Sequence, residues 1–282
     1  MRDLRDRVVV ITGGAGGIGK ALAAAFTREG SRVVVADVEE GEGRRTAEAL
    51  GNAYFYRLDV GDSTAVSGFA RRVEEEVGEV DVLVNCAGVV VLAEVVDTTL
   101  EDWRRLMTVN LWGPVNLLHA FLPRMYRRGG GHVVNVASDG GLFPVSGLGA
   151  YAATKYALVG LSEVLYTEAE CYGVKVTTVC PWATWTPIIE GADIRGYDLE
   201  AKRKASRGLR YIADNPDRLA RGIIRSVRKD KPMLVHYPPG KFLDVWHRLS
   251  RRSFLAASAV VYRHLGRRIL KKPRRGRPGV VG

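Results

Sequence analysis

The chain has 282 residues, 46% of them apolar and 26% charged, which excludes a mostly disordered, collagen-like or disulfide-scaffolded protein. No segment is long and apolar enough to span a bilayer, and the charged N-terminus enters a Val-Val-Val-Ile run with no signal-like apolar region, so a cytoplasmic location is expected. The net charge of +11 is unevenly placed: residues 1–220 hold 25 basic and 29 acidic side chains, residues 221–282 hold 17 and 2, so the basic character belongs to a tail and gives the body no reason to bind nucleic acid.

Short β-branched runs alternate with segments of helical period. The expected strands are Arg7 to Ile11, Arg32 to Ala36, Asp81 to Asn85, His132 to Ala137 and Lys175 to Cys180. They are continuously apolar, as strands covered on both faces must be. Helices are expected over Gly17 to Arg28, Thr64 to Val77, Thr99 to Tyr126 and Ala150 to Cys171, the third opening on a Thr-Leu-Glu-Asp capping pattern. The pattern predicts an α/β fold: a single doubly wound domain with a parallel sheet over residues 1–240, followed by a basic helical extension over 241–282. Cys86, Cys171 and Cys180 are odd in number and lack metal-type spacing, so reduced thiols and no metal site are expected.

The first strand runs through Gly13, Gly14, Gly16, Gly17, Ile18 and Gly19 into a helix. Glycines there let the backbone turn sharply and approach a pyrophosphate, and the helix N-terminus offers free N–H groups and a positive dipole end. Asp37 closes the second strand near the offset at which a carboxylate grips an adenosine ribose diol. A carboxylate there repels a 2′-phosphate, Val38 supplies no cation, and the nearest basic residue along that strand is Arg32 at its far end, so NAD is the expected cofactor.

The run continues with Asn85-Cys86-Ala87-Gly88, then Asn110, Ser138 and Tyr151 with Lys155 four residues on. In this order and spacing the chain resembles the classical short-chain dehydrogenase/reductase family over about residues 6–190. The resemblance implies a Rossmann domain, reversible hydride transfer between nicotinamide and a carbinol or carbonyl carbon, and a catalytic tetrad of Asn110, Ser138, Tyr151 and Lys155. It also implies cofactor contacts from Gly13, Gly17, Ile18, Gly19, Asp37, Asp59, Val60, Asn85, Ala87, Gly88, Tyr151, Lys155, Pro181, Thr184 and Thr186. An isolated tyrosine is a poor base at neutral pH, and Lys155, one helical turn away, is placed to favour its phenolate. Ser138 is expected to donate to the substrate oxygen. Asn110 precedes Pro114 by four, so its carbonyl lacks the usual helical donor; in the family that carbonyl holds a proton-relaying water. Two positions depart from the family pattern: Trp182 stands where a glycine usually follows Pro181, and Asp139 follows Ser138.

Leu142, Phe143, Pro144, Val145 and Leu148, with Trp182, Trp185, Pro187, Ile188 and Ile189, suggest an apolar cleft, although cores have the same composition. The expected activity is that of an NAD-dependent dehydrogenase/reductase for a lipophilic secondary alcohol or ketone of sterol, retinoid or terpenoid type. The alternatives are a reductase of 3-oxoacyl or sugar substrates and a non-catalytic NAD-binding regulator. A homo-oligomer, dimer or tetramer, is implied by the family. Between Lys241 and Lys272, Phe242, Val245, Trp246, Leu249, Phe254, Val261, Leu265 and Ile269 recur at near-helical spacing among arginines. This stripe reads first as a packing face over the cleft or a partner subunit, and second as a helix in peripheral contact with an anionic membrane.

Overall fold

The computed structural model describes residues 3–51, 53–184, 193–196 and 213–266. Seven parallel strands, β1 (Val8–Thr12), β2 (Arg32–Asp37), β3 (Ala53–Arg57), β4 (Val80–Asn85), β6 (Gly131–Val136), β7 (Val174–Cys180) and β9 (Met233–Val235), lie in the order β3-β2-β1-β4-β6-β7-β9. A separate two-stranded parallel sheet pairs β5 (Val91–Leu92) with β8 (Asp193–Ile194). The order reverses between β1 and β4, and ligands of such sheets bind at the carboxyl ends beside that reversal.

Helices α1 (Gly17–Arg28), α2 (Glu40–Leu50), α3 (Ser63–Glu76), α4 (Leu100–Met107), α5 (Gly113–Arg128), α6 (Gly149–Glu170) and α7 (Pro216–Arg228) cover the sheet. Alternate strand residues feed two cores. On one face Val10, Val34 and Leu83 pack with Val66 and Phe69 of α3, Leu117 and Phe121 of α5 and Leu165 of α6. On the other Val9, Ile11, Val33 and Val84 pack with Leu22 and Phe26 of α1 and Leu219 and Ile223 of α7. The valines of β1 are buried on both sides, which is why that strand reads as an unbroken apolar run.

The helix expected from Thr99 to Tyr126 is interrupted. Thr99 does form a capping box with Asp102 at the start of α4. Residues Thr108–Trp112, however, form a π turn before α5 begins. Pro114 has no N–H to continue α-type bonding, and the turn closes instead by Gly113 N–H donating to the Thr108 carbonyl.

Beyond β9, α8 (Pro238–Leu249) and α9 (Arg251–Val261) fold back on the body. Phe254 of α9 is buried against Phe143, Trp246 and His247 at ring separations of 5.7, 5.3 and 5.1 Å. Among the described residues no helix is long and apolar enough to cross a membrane.

Candidate active site

The glycine turn after β1 is shaped by close backbone contacts. Gly13 has φ +68°, and a Cβ there would lie 2.8 Å from the Ala87 Cα. A Cβ on Gly19 would lie 2.1 Å from the Gly13 carbonyl oxygen. Thr12 Oγ1 accepts from the N–H groups of Cys86 and Ala87 at 3.1 and 3.2 Å, clamping the ends of β1 and β4 together. The N-terminus of α1 has no side-chain cap and no acidic residue in its first turn. Gly17 opens α1 with φ +53°, and Ile18 packs down onto the core beneath it. A glycine-lined turn feeding an uncapped helix end fits the pyrophosphate of a dinucleotide.

Asp37 ends β2 beside this turn. One carboxylate oxygen accepts from Ala15 N–H at 2.9 Å and the other from Glu39 N–H at 3.1 Å, so the group is fixed at the end where a ribose would sit. The expectation that Arg32 is the nearest cation is corrected by the sheet. Arg32 lies at the far end of β2 and donates to the Val77 carbonyl, whereas Arg57 on β3 is the register partner of Asp37. Strand neighbours are set by pairing, not by distance along the chain.

Asp59 and Val60 follow β3. The Asp59 carboxylate accepts from Gly61 N–H at 2.8 Å, and Val60 is buried with its carbonyl held by Asn116 Nδ2 at 2.9 Å. Asn85 donates to Asn135 at 2.7 Å, and Asn135 to Ser162 at 2.9 Å, a buried chain linking β4, β6 and α6. The Asn85 side chain is tied into the sheet through Nδ2, its buried Oδ1 has no hydrogen-bond partner among the described residues, and Ala87 and Gly88 follow at the cleft floor.

The four tetrad positions converge above that floor. Asn110, fully buried in the π turn, accepts from Val89 N–H at 2.8 Å and donates to the Val89 carbonyl at 2.9 Å, copying a strand pairing with its side chain. It also donates to Thr154 Oγ1 at 3.2 Å, whose hydroxyl donates to the Tyr151 carbonyl at 2.7 Å. Lys155 Nζ donates to the Val136 carbonyl at 3.0 Å and lies 5.6 Å from the centroid of the Tyr151 ring. Gly88 packs beneath both: a Cβ there would be 3.3 Å from Asn110 Oδ1 and 3.8 Å from Lys155 Nζ.

Burial pushes the Tyr151 phenol up to about 12, against a smaller opposing effect of the Ser138 hydroxyl. Burial also pushes the Lys155 ammonium down to about 8. The Ser138 hydroxyl, expected to face the substrate, donates to its neighbour Asp139 at 2.9 Å, while Ser138 Oγ accepts from Gly140 N–H at 3.1 Å. Asp139 thus competes with substrate for the Ser138 proton, and burial raises its own carboxyl above the ordinary range.

A pH test follows. Lysine is charged below its pKa, and Tyr151 stays protonated across the neutral range. With carbonyl reduction followed as kcat/KM, the rate is expected to hold level near neutrality and to fall about tenfold per pH unit above about 8. A profile level well beyond that pH would remove the Lys155 charge from the reaction.

Around the cleft, Leu142 and Phe143 are buried with Ala137, Leu158 and Val159 and serve as core; Pro144, Val145 and Leu148 remain half-buried. Pro181 accepts from Asp139 N–H at 3.0 Å, and Thr184 Oγ1 donates to the Trp182 carbonyl at 2.8 Å. Trp182 has no left-handed backbone and packs with the cluster of Phe143 and Phe254, against Gly240 of α8. The residue that replaces the usual glycine thus ties the loop to the C-terminal extension. Trp185, Thr186, Pro187, Ile188 and Ile189 lie outside the described residues. The described chain resumes at Asp193, and the Arg195 guanidinium pairs with Asp102 at 2.7 Å, an anchor that sequence spacing did not suggest. Among the described residues no group of three or more His, Cys, Asp or Glu is placed to hold a metal ion.

One family model, short chain dehydrogenase, matches residues 7–193. The chain belongs to the short-chain dehydrogenase/reductase family. The crystal structure of a short-chain dehydrogenase from Streptomyces avermitilis superposes with a TM-score of 0.79 at 30% identity, covering 92% of this chain and 98% of that one. The probable oxidoreductase EphD of Mycobacterium tuberculosis is 39% identical over 240 residues, 81% of this chain. The chain spans 40% of that protein's length. A D-threitol dehydrogenase of Mycolicibacterium smegmatis is 36% identical over 189 residues, 66% of this chain and 73% of that protein. The family is one of oxidoreductases that use a nicotinamide cofactor.

Proposed function

We propose that the protein is an NAD-dependent dehydrogenase/reductase of a lipophilic secondary alcohol and its ketone. The observation that carries the cofactor choice is the Asp37 carboxylate, fixed by two backbone N–H groups at the end of β2. It can accept from both hydroxyls of an adenosine ribose and repels a 2′-phosphate. Gly13, Gly17 and Gly19 would hold the pyrophosphate, Asp59 and Val60 would flank the adenine, and Ala87, Gly88, Pro181 and Thr184 would line the nicotinamide half. Bound nicotinamide supplies the hydride acceptor or donor.

In this reading Tyr151 gives its proton to the carbonyl oxygen in reduction and takes it back in oxidation. Ser138 must turn its hydroxyl from Asp139 toward the same oxygen, where it steadies developing charge. Lys155, already charged at neutral pH, lends electrostatic support to the phenolate. Asn110 positions Val89 and the Tyr151 turn. The half-buried Pro144, Val145 and Leu148, with Trp182, support an apolar substrate. The threitol dehydrogenase among its relatives supports a second reading, a small polyol. The apolar faces of Trp112, Tyr156 and Val164, exposed on the π turn and α6, support association of identical subunits.

Assay of the purified protein with NAD and NADP against sterols, terpenols, polyols and 3-oxoacyl thioesters tests the proposal. Preferred turnover of lipophilic alcohols with NAD is expected; turnover confined to polyols or thioesters would overturn the substrate class. The double substitution Asp37→Ala with Val38→Arg is expected to shift preference toward NADP by at least about tenfold, since it lifts a repulsion and supplies a phosphate partner beside Arg57. An unchanged cofactor ratio would mean that Asp37 does not touch the ribose.

A further inference from the structure

We propose that the hairpin of α8 and α9 is a docking surface for the headgroup layer of an anionic lipid bilayer. Each helix has two faces with different fates. Toward the body the hairpin buries Gly240, Asp244, His247 and Phe254. Away from it α8 exposes Phe242 (67%), Val245 and Leu249 (83%), spaced i, i+3, i+7 on one stripe. On α9 Leu255, Ala256, Ala259 and Val260 are exposed at helical spacing, and Val261 is exposed at the helix end off that stripe. Phe242 leans on the Trp246 ring at 6.2 Å, yet it and the others stay largely exposed, so their apolar character needs another explanation.

The charge around them supplies it. Residues 238–266 carry Lys241, Arg248, Arg251, Arg252 and Arg263 against one acid, Asp244, which is itself paired with Arg248 at 2.8 Å. Residues 267–282 add seven basic residues and no acid. Beside the first turn of α8 opens a cavity of about 530 Å³ with Arg218, Arg225, Lys231 and Lys241 in its wall. A second copy of the chain, docked by two-fold symmetry on this face, would set cation against cation with no acid to match. A nucleic acid would satisfy the cations but not Phe242, Leu249 and Val260. An anionic bilayer satisfies both, taking the apolar stripe into the acyl boundary and the arginines among the phosphates.

The surface also adjoins the cleft. Tyr262, just past α9, donates to Glu94 at 2.7 Å, which sets the end of the hairpin beside the exposed Val95 and Val96. Val95 in turn touches Gly149, two residues before Tyr151. A lipophilic substrate could therefore pass from bilayer to site along apolar surface. That use rests on the proposed substrate class; the docking itself does not.

The test is sedimentation of the full chain, without substrate or cofactor, with vesicles of phosphatidylcholine alone or mixed with phosphatidylglycerol. Binding to the mixed vesicles only, weakened by salt, is expected. Phe242→Ser with Val260→Ser, and separately Arg252→Glu with Arg263→Glu, are each expected to lower partitioning about tenfold or more while dinucleotide binding and melting temperature stay at wild-type values. If a double variant melts early, the single change Leu249→Ser decides. The proposal is overturned if the protein stays in the supernatant with anionic vesicles. It is equally overturned if the apolar variants partition like wild type, or if light scattering shows that they only dissociate a dimer.

Discussion

Replacing Tyr151 with Phe is expected to abolish turnover, with a loss of about a hundred- to ten-thousandfold in kcat, because general acid–base catalysis contributes on that scale and only the ionisable oxygen is removed. The ring should keep its packing against the cluster of Val91, Ala93, Leu106 and Ala150, so the site is not expected to collapse. Dinucleotide affinity, read by quenching of protein fluorescence, should therefore stay at the wild-type value. A variant that keeps more than a few per cent of the rate would show that another group moves the proton. The raised pKa sharpens the expectation: at neutral pH the phenol is present almost wholly in its donor form, and the phenolate that oxidation needs is scarce. Wild-type oxidation should accordingly gain rate with rising pH.

Gly19→Ala should be the most damaging single methyl. Its Cβ would stand 2.1 Å from a backbone oxygen, with no flexible side chain to give way. Helix α1 must then move off β1, at a cost of about 1–3 kcal/mol for overpacking. For a chain of this size that corresponds to a drop in Tm of roughly 2–12 °C, and dinucleotide binding should weaken at least tenfold as the turn is pushed out of shape. Gly68, inside α3 with open space around its Cα, provides the contrast; Gly68→Ala should leave binding alone and raise Tm slightly through helix propensity. Equal behaviour of the two variants in melting and titration would mean that the close approach at Gly19 is not a constraint.

Much of the fold was legible because its signals are local. Fully buried parallel strands must be apolar throughout, so β1, β2, β4, β6 and β7 appear as valine-rich runs within a residue or so of their observed bounds. The glycine turn and the offset to Asp37 are likewise matters of short-range geometry. What escaped depends on contacts between distant segments. Arg57 comes beside Asp37 only through the pairing of β2 with β3. Leu142 and Phe143 read equally well as cleft or core until Phe254, more than a hundred residues later, is seen to cover Phe143. The direction of the Tyr151 shift follows from desolvation by its whole surroundings, which the four-residue spacing to Lys155 does not encode. Ser138 and Asp139 are adjacent in sequence, yet their hydrogen bond depends on the turn after β6 and its contact with Pro181.

The π turn at Thr108–Trp112 has a consequence for how this helix pair can change by insertion or deletion. A π turn accommodates one residue more than an α-helical turn would, so it sets the rotational phase of α5 relative to α4. Deleting that extra residue would restore a continuous helix with α5 still facing the core, whereas inserting one residue just after Pro114, in regular helix, would rotate everything downstream by about 100°. Leu117 and Phe121 would swing out of the core, and Asn116 would lose the Val60 carbonyl. The irregularity that presents Asn110 to Val89 is therefore a place where the α4–α5 pair can take up a change of length without α5 losing its buried face.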